Sequence, residues 1–226
     1  MLKVSVVTAD IIGSRKAGNY EPELKERLAS LQHPKLVSAF SLSRGDEIQG
    51  VLEGWLQAPE IVRHLRFACR PLKLRIGIGI GLQEGSLEAN PWNMNGPAFH
   101  LARLALEAAQ KERHPSTVIK TGHRELDEIL NCVWSLIDIR QVKWTDKQWE
   151  AVQAYEESKT YEGAARRLNI TFQNVQKRCR SADWHQLREA EKTLGKLEIY
   201  VSRFHLGEGE NTDFTLRKVN AGGTQQ

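Results

Sequence analysis

The sequence predicts an α+β fold followed by an all-α segment, and three observations predict it. Residues 1–81 read in the order strand, helix, hairpin, helix, strand. The last of these strands, Leu74 to Gly81, alternates aliphatic residues with glycine. Near residue 143 the composition shifts to tryptophan and charge, and only helical spacing follows. A short mixed order containing a hairpin suits a sandwich of ferredoxin-like type.

The first strand is Val4-Ser5-Val6-Val7-Thr8-Ala9, which ends in Asp10-Ile11-Ile12-Gly13-Ser14-Arg15. A carboxylate at the end of a buried strand is costly to desolvate and needs a cation or several donors. Backbone amides at Ile12, Gly13 and Ser14 can form an anion-binding nest just beyond it. The alternative is an aspartate that caps the next turn. Pro22 fits the first turn of a helix, with Leu24, Leu28 and Leu31 along one face. Residues 36–43 and 47–52 form the hairpin, turning through Arg44-Gly45-Asp46. Its tip projects a second carboxylate, although an exposed Gly-Asp turn has the same sequence. Pro59 opens a helix that buries Ile61, Val62, Leu65 and Cys69. In the following strand Leu74, Ile76, Ile78 and Ile80 share one face, while Gly77 and Gly79 let something pack closely on the other. A loop over 82–95 leads to a helix from Gly96-Pro97 carrying Leu101, Leu104, Ala105 and Ala108. Thr117 to Lys120 is a short strand. Residues 123–139 form an amphipathic helix with Leu126, Ile129, Leu130, Val133 and Ile137 as its apolar side.

The domain boundary is expected at about residue 142, giving units 1–142 and 143–200 and a flexible tail over 201–226. Thr145-Asp146-Lys147-Gln148 is a capping-box pattern. Helices are expected at 146–157, 161–168 and 171–182, with a fourth from about 183. In 160–182, Ala165, Asn169 and Val175 have the spacing of two helices crossing at a tight turn, where asparagine tolerates the left-handed backbone. The second helix carries Gln173, Asn174, Gln176, Lys177, Arg178 and Arg180, with no acid between 171 and 182. Gln, Asn and Arg read base edges, and Lys and Arg neutralise phosphate. A packing module with a solvated basic face is the alternative.

The chain has 226 residues, 40% hydrophobic and 27% charged, as a globular protein has, and a net charge of +4 that permits nucleic-acid or nucleotide partners. Cys69, Cys132 and Cys179 are scattered and odd in number, which points to a reducing cytoplasm. No signal pattern opens the chain and no run reaches the ~18 apolar residues of a membrane span.

Four short pieces in order resemble the catalytic domain of class III nucleotidyl cyclases: the strand ending at Asp10, the Gly45-Asp46 hairpin, Arg75-Ile76-Gly77-Ile78, and the helix opening at Gly96. Arg44-Gly45-Asp46-Glu47 is also similar to the GGDEF hairpin of diguanylate cyclases, which share that palm-like core. The resemblance covers residues 1 to about 140. It implies metal ligation by Asp10, Asp46 and the Ile11 carbonyl, with Mg2+ or Mn2+ as the ion. Gly13, Ser14 and Arg15 would cradle a triphosphate. Asn93 falls at a base-selecting position, and His100 where the family has a ribose-orienting asparagine. The family's transition-state arginine falls at Leu104. Here Arg103 precedes it, rotated about 100° around the helix. The family's lysine before the hairpin has no counterpart in Phe40-Ser41-Leu42-Ser43. Residues 160–182 resemble the sigma-factor-type helix-turn-helix, and the whole arrangement looks like the SatD family, a bacterial group.

These resemblances imply a DNA-binding regulator whose first unit binds a purine nucleoside triphosphate or cyclic nucleotide with Mg2+, with weak or absent cyclase activity. An active purine nucleotide cyclase is one alternative and a non-catalytic protein scaffold another. They also imply a homodimer formed through the first unit, because sites of this kind are completed across a two-fold axis.

Overall fold

The computed structural model describes residues 2–14, 18–43, 46–55 and 59–197. The expected flexible tail, Arg15 and the Arg44-Gly45 tip lie outside these residues. The order is β1 (Leu2–Ile11), α1 (Glu21–Ser30), β2 (Leu36–Leu42), β3 (Glu47–Glu53), α2 (Glu60–Ala68), β4 (Leu74–Gln83), α3 (Pro97–Gln110), β5 (Thr117–Lys120) and α4 (Arg124–Gln141). Four helices follow: α5 (Asp146–Ser158), α6 (Tyr161–Leu168), α7 (Phe172–Ser181) and α8 (Trp184–Lys196). The fold is mixed α+β, with one five-stranded sheet in the order β2-β3-β1-β4-β5. β1 is antiparallel to both β3 and β4, and β5 joins β4 in parallel.

The two sheet faces pack by different means. On one, Val7, Ala9, Ile11, Ile76, Ile78 and Ile80 meet α1 and α2 in a core that continues through α4 into α5–α8. On the other, Val4, Val6 and Val51 meet Ala98 and Ala102 of α3. The glycines of β4 admit α3 at backbone distance. A Cβ at Gly79 would lie 2.0 Å from the Ala98 carbonyl oxygen, and one at Gly77 2.3 Å from the Leu106 nitrogen. The close approach expected at these glycines is therefore filled by a helix backbone. It also corrects the reading of α3. Its buried side is Ala98, Ala102, Ala105, Leu106 and Ala109, and Leu104 is left exposed. A sheet surface without side chains accepts alanine and leaves no room for a second leucine row.

A second correction concerns α4, which buries Leu126, Leu130, Trp134 and Ile137 while Ile129 is 59% exposed. The helix has apolar residues on two sides, and the packed side is the one carrying the tryptophan.

Buried charge ties the first helices to the last. Arg63 of α2 donates to Glu191 of α8 at 3.1 and 3.3 Å, and both are nearly inaccessible. The Arg63 guanidinium lies 4.4 Å from the centre of the Trp184 ring. Arg66 pairs with Asp138 of α4 at 2.7 Å and donates to Thr117 and Gln141. The capping box at Thr145 and Gln148 forms as expected, and Asn169 adopts φ 51°, ψ 47°. Among the described residues no helix is long and apolar enough to cross a membrane.

Candidate functional site

Asp10 lies at the end of the central strand, on the face that α3 covers. Register places Glu47 of β3 on one side of it and Arg75 of β4 on the other. Side chains alternate along a strand, so Glu47, Asp10 and Arg75 form one row across three strands. Asp46 closes the end of this row: its carbonyl accepts from the Ile11 amide at 3.2 Å. Its carboxylate accepts from the Ser14 hydroxyl at 2.5 Å.

The electrostatics of the row are unbalanced. Burial raises the Asp10 pKa most, and the negative charge of Asp46 raises it further. Arg75, 3.7 Å away, and a hydrogen bond with Gln110 oppose the rise, while Glu47 adds to it. The Tyr20 phenol feels the same field. Burial raises its pKa first, and the charges of Asp46, Glu21 and Asp10 add to the rise. Glu47 is engaged by Arg103, which reaches down from α3 to its two oxygens at 2.9 and 3.1 Å. Arg75 donates from Nε to the Glu112 carbonyl at 3.2 Å, fixing its stem beside Asp10.

Asp10, Ile11, Asp46, Gly13 and Ser14 are thus together at one end of the sheet, and Arg103 joins them through Glu47. Gly13 takes φ 73°, the left-handed conformation a nest needs. The nest is smaller than its sequence offers, because the Ile12 amide already donates to the Lys73 carbonyl at 2.9 Å. Asn93 and His100 are exposed, and among the described residues neither side chain makes a hydrogen bond or ion pair. Arg75, Tyr20 and Gln110 are the site neighbours that sequence reasoning missed. Arg75 opens the motif that carried the resemblance, but its place beside Asp10 depends on the β1–β4 register.

A divalent cation fits this row only in part. Among the described residues no group of three or more His, Cys, Asp or Glu side chains is placed to hold a metal ion. Two carboxylates repelling each other, with Arg75 as partial counter-charge, suit a cation that keeps water and phosphate oxygens in its shell, as magnesium does.

The second candidate surface is α7. Thr171 caps it by accepting from the Asn174 amide, and Val175 and Cys179 are its buried side. Gln173, Asn174, Gln176, Lys177 and Arg180 are exposed and Arg178 half-buried. Among the described residues none of Lys177, Arg178 and Arg180 is ion-paired, whereas Arg167 of α6 is paired with Glu157.

The molecule is therefore a sheet protein with a paired-carboxylate edge, joined through a shared core to four helices that expose a cationic one. A family model described as the SatD family matches residues 5–193, and the chain belongs to that family. No curated protein matches it. Among solved structures, a regulator of polyketide synthase expression from Bifidobacterium adolescentis is 12% identical. That match covers 90% of this chain and 81% of that one with a TM-score of 0.28, too low to carry an argument.

Proposed function

We propose that this SatD family protein is a DNA-binding regulator whose sheet unit binds a purine nucleoside triphosphate with Mg2+. The observation that carries it is α7: an exposed helix without acids, whose cations have no partner among the described residues. A helix-turn-helix reading of α6 and α7 is supported by the left-handed Asn169 between them and by Val175, which is fully buried. Lys177, Arg178 and Arg180 would meet phosphate, and Gln173, Asn174 and Gln176 base edges.

The palm-like, ferredoxin-type reading of the first unit is supported by β1 lying between β3 and β4 with the carboxylates at its end. Asp10 and Asp46 would hold the cation, with the amides of Gly13 and Ser14 toward the phosphates. The cation would supply charge neutralisation for the triphosphate. The Asp10 carboxylate stays ionised more readily once a cation offsets Asp46. Asn93 and His100, on the open surface, would reach base and ribose. A homodimer belongs to this reading, since one recognition helix makes few base contacts.

The test is a titration of the full chain against DNA from its own upstream region, at two salt concentrations, with and without magnesium and ATP or GTP. Replacing Lys177 and Arg178 by alanine is expected to weaken all sequences and lower the salt slope by about one unit per lost phosphate contact. Replacing Gln173 is expected to relax sequence preference. Absence of salt-dependent binding overturns the DNA reading and leaves the scaffold reading. An active cyclase is the second reading, favoured by Arg103, which the Glu47 contact brings to the carboxylate end. Formation of cyclic or condensed product from labelled triphosphate, lost in Arg103→Ala, would establish it.

A further inference from the structure

The side of α4 turned away from the core carries an apolar stripe with no role in the proposed site. Ile129 is 59% exposed, Leu136 62% and Ile139 47%, and Cys132 between them is exposed too. These four positions recur at alternating intervals of three and four, the spacing of a coiled-coil seam. The buried residues of the same helix, Leu126, Leu130, Trp134 and Ile137, lie on the opposite side.

The stripe is also self-complementary about Trp134. Counting outward from that residue in both directions pairs Cys132 with Leu136, Ile129 with Ile139, and Glu125 with Lys143, which lies two residues past the end of α4. Apolar meets apolar at the centre and acid meets base at both ends. An antiparallel second copy brings each of these pairs together twice, as a two-fold axis requires. A parallel copy would set Glu125 against itself. Nothing in the sequence of an unrelated partner or of the chain's own tail would have to mirror this order.

We infer that the outer face of α4 is a homodimer interface, with two α4 helices antiparallel and crossing near Trp134. This surface is away from Asp10 and from α3, and the inference does not depend on nucleotide or DNA binding. Glu128 and Arg140 flank the stripe on opposite sides and pair within their own chain, with Arg124 and Asp183. The Glu125–Lys143 pair has no such entanglement and tests the charge pattern cleanly.

Light scattering of the full chain at tens of micromolar is expected to give twice the chain mass. Leu136→Lys, on an exposed position, is expected to give a monomer with unchanged circular dichroism. A wild-type monomer at that concentration, or a folded Leu136→Lys that stays dimeric, overturns the inference. Register is tested by Leu136→Cys under copper–phenanthroline. A covalent dimer is expected through Cys132 of one copy and the new thiol of the other, and it should vanish when Cys132 is also replaced by alanine. Cross-linking that survives that replacement, or wild-type linkage of Cys132 to Cys132, would show a different packing. Glu125→Lys is expected to raise the dimer dissociation constant roughly fivefold, and Lys143→Glu added to it to restore it. No recovery in the double variant overturns the charge pairing.

Discussion

The two faces of the sheet hold their helices by opposite means. Toward α3 the contact is backbone on backbone: glycines of β4 against alanines of α3, with no room for a methyl group. Toward α2, α4 and α8 the contact is made by large side chains, among which two arginines are buried with carboxylate partners. The first arrangement sets a distance. It fixes α3 over the end of β1, which is what allows Arg103 to reach Glu47 and Gln110 to reach Asp10. The second arrangement sets a partner. Arg63 and Glu191 are 128 residues apart and satisfy each other only when α8 is seated on α2. Closeness positions the candidate site, and buried charge joins the sheet unit to the helices that carry α7.

The harshest way to break the contrast is Gly79→Val. Its Cβ would collide with backbone that cannot rotate away, and a loss above about 4 kcal/mol is expected, seen as insoluble or unfolded protein. Gly81→Ala is the control, since its Cβ would sit 3.1 Å from the Ala98 nitrogen and a small shift relieves it. If Gly79→Val folds with an unchanged melting temperature, the backbone contact is not as close as described.

Glu191→Ala attacks the other face. It leaves the Arg63 charge buried without its partner, and a cost of about 3–5 kcal/mol is expected in denaturant unfolding. Replacing both, with Met at 63 and Leu at 191, is expected to recover most of it, because a dry apolar pair has no charge to desolvate. A double variant as unstable as the single one would mean that the pair contributes more than mutual neutralisation.

His64 gives a pH test of the α2 side. Burial first, then the charges of Arg63, His33 and Lys159, push its pKa from 6.5 down to about 3. The unfolded chain therefore binds a proton below pH 6.5 that the folded chain refuses until about pH 3. Stability from this residue is present above pH 6.5 and is lost as pH falls through that window. His64→Gln is expected to flatten the acid limb of the melting-temperature profile between those limits. A wild-type slope unchanged by the substitution would place the acid sensitivity elsewhere.

The smallest expected effect is at the site. The folded pKa of Asp10 is raised, so the folded state holds its proton more tightly than the unfolded one. Stability from this group is present at acidic pH and declines as pH rises through the carboxylate range. Asp10→Asn should then stabilise the metal-free protein at neutral pH by about 1 kcal/mol, or roughly 2–4 °C in melting temperature. It should also remove any stabilisation by magnesium and ATP. A destabilised Asp10→Asn would mean that Arg75 more than offsets the repulsion from Asp46.

Much of this molecule was local enough to be fixed by its own residues. The β5 limits, the hairpin, the capping box at Thr145 and the left-handed Asn169 each follow from a few neighbouring side chains and the backbone they permit. So does the identity of Asp10 and Asp46 as carboxylates at chain reversals. What tertiary structure decided is everything that pairs distant segments. The β1–β4 register set Arg75, and not another cation, beside Asp10. The choice of alanines over leucines on the inner side of α3 came from the bare glycine surface it met. Ile129 turned outward because α4 could bury only one of its two apolar sides, and periodicity along a helix does not say which side finds a neighbour. The Arg63–Glu191 pair is invisible in sequence for the same reason: desolvation makes two charges depend on each other only after folding has brought them together.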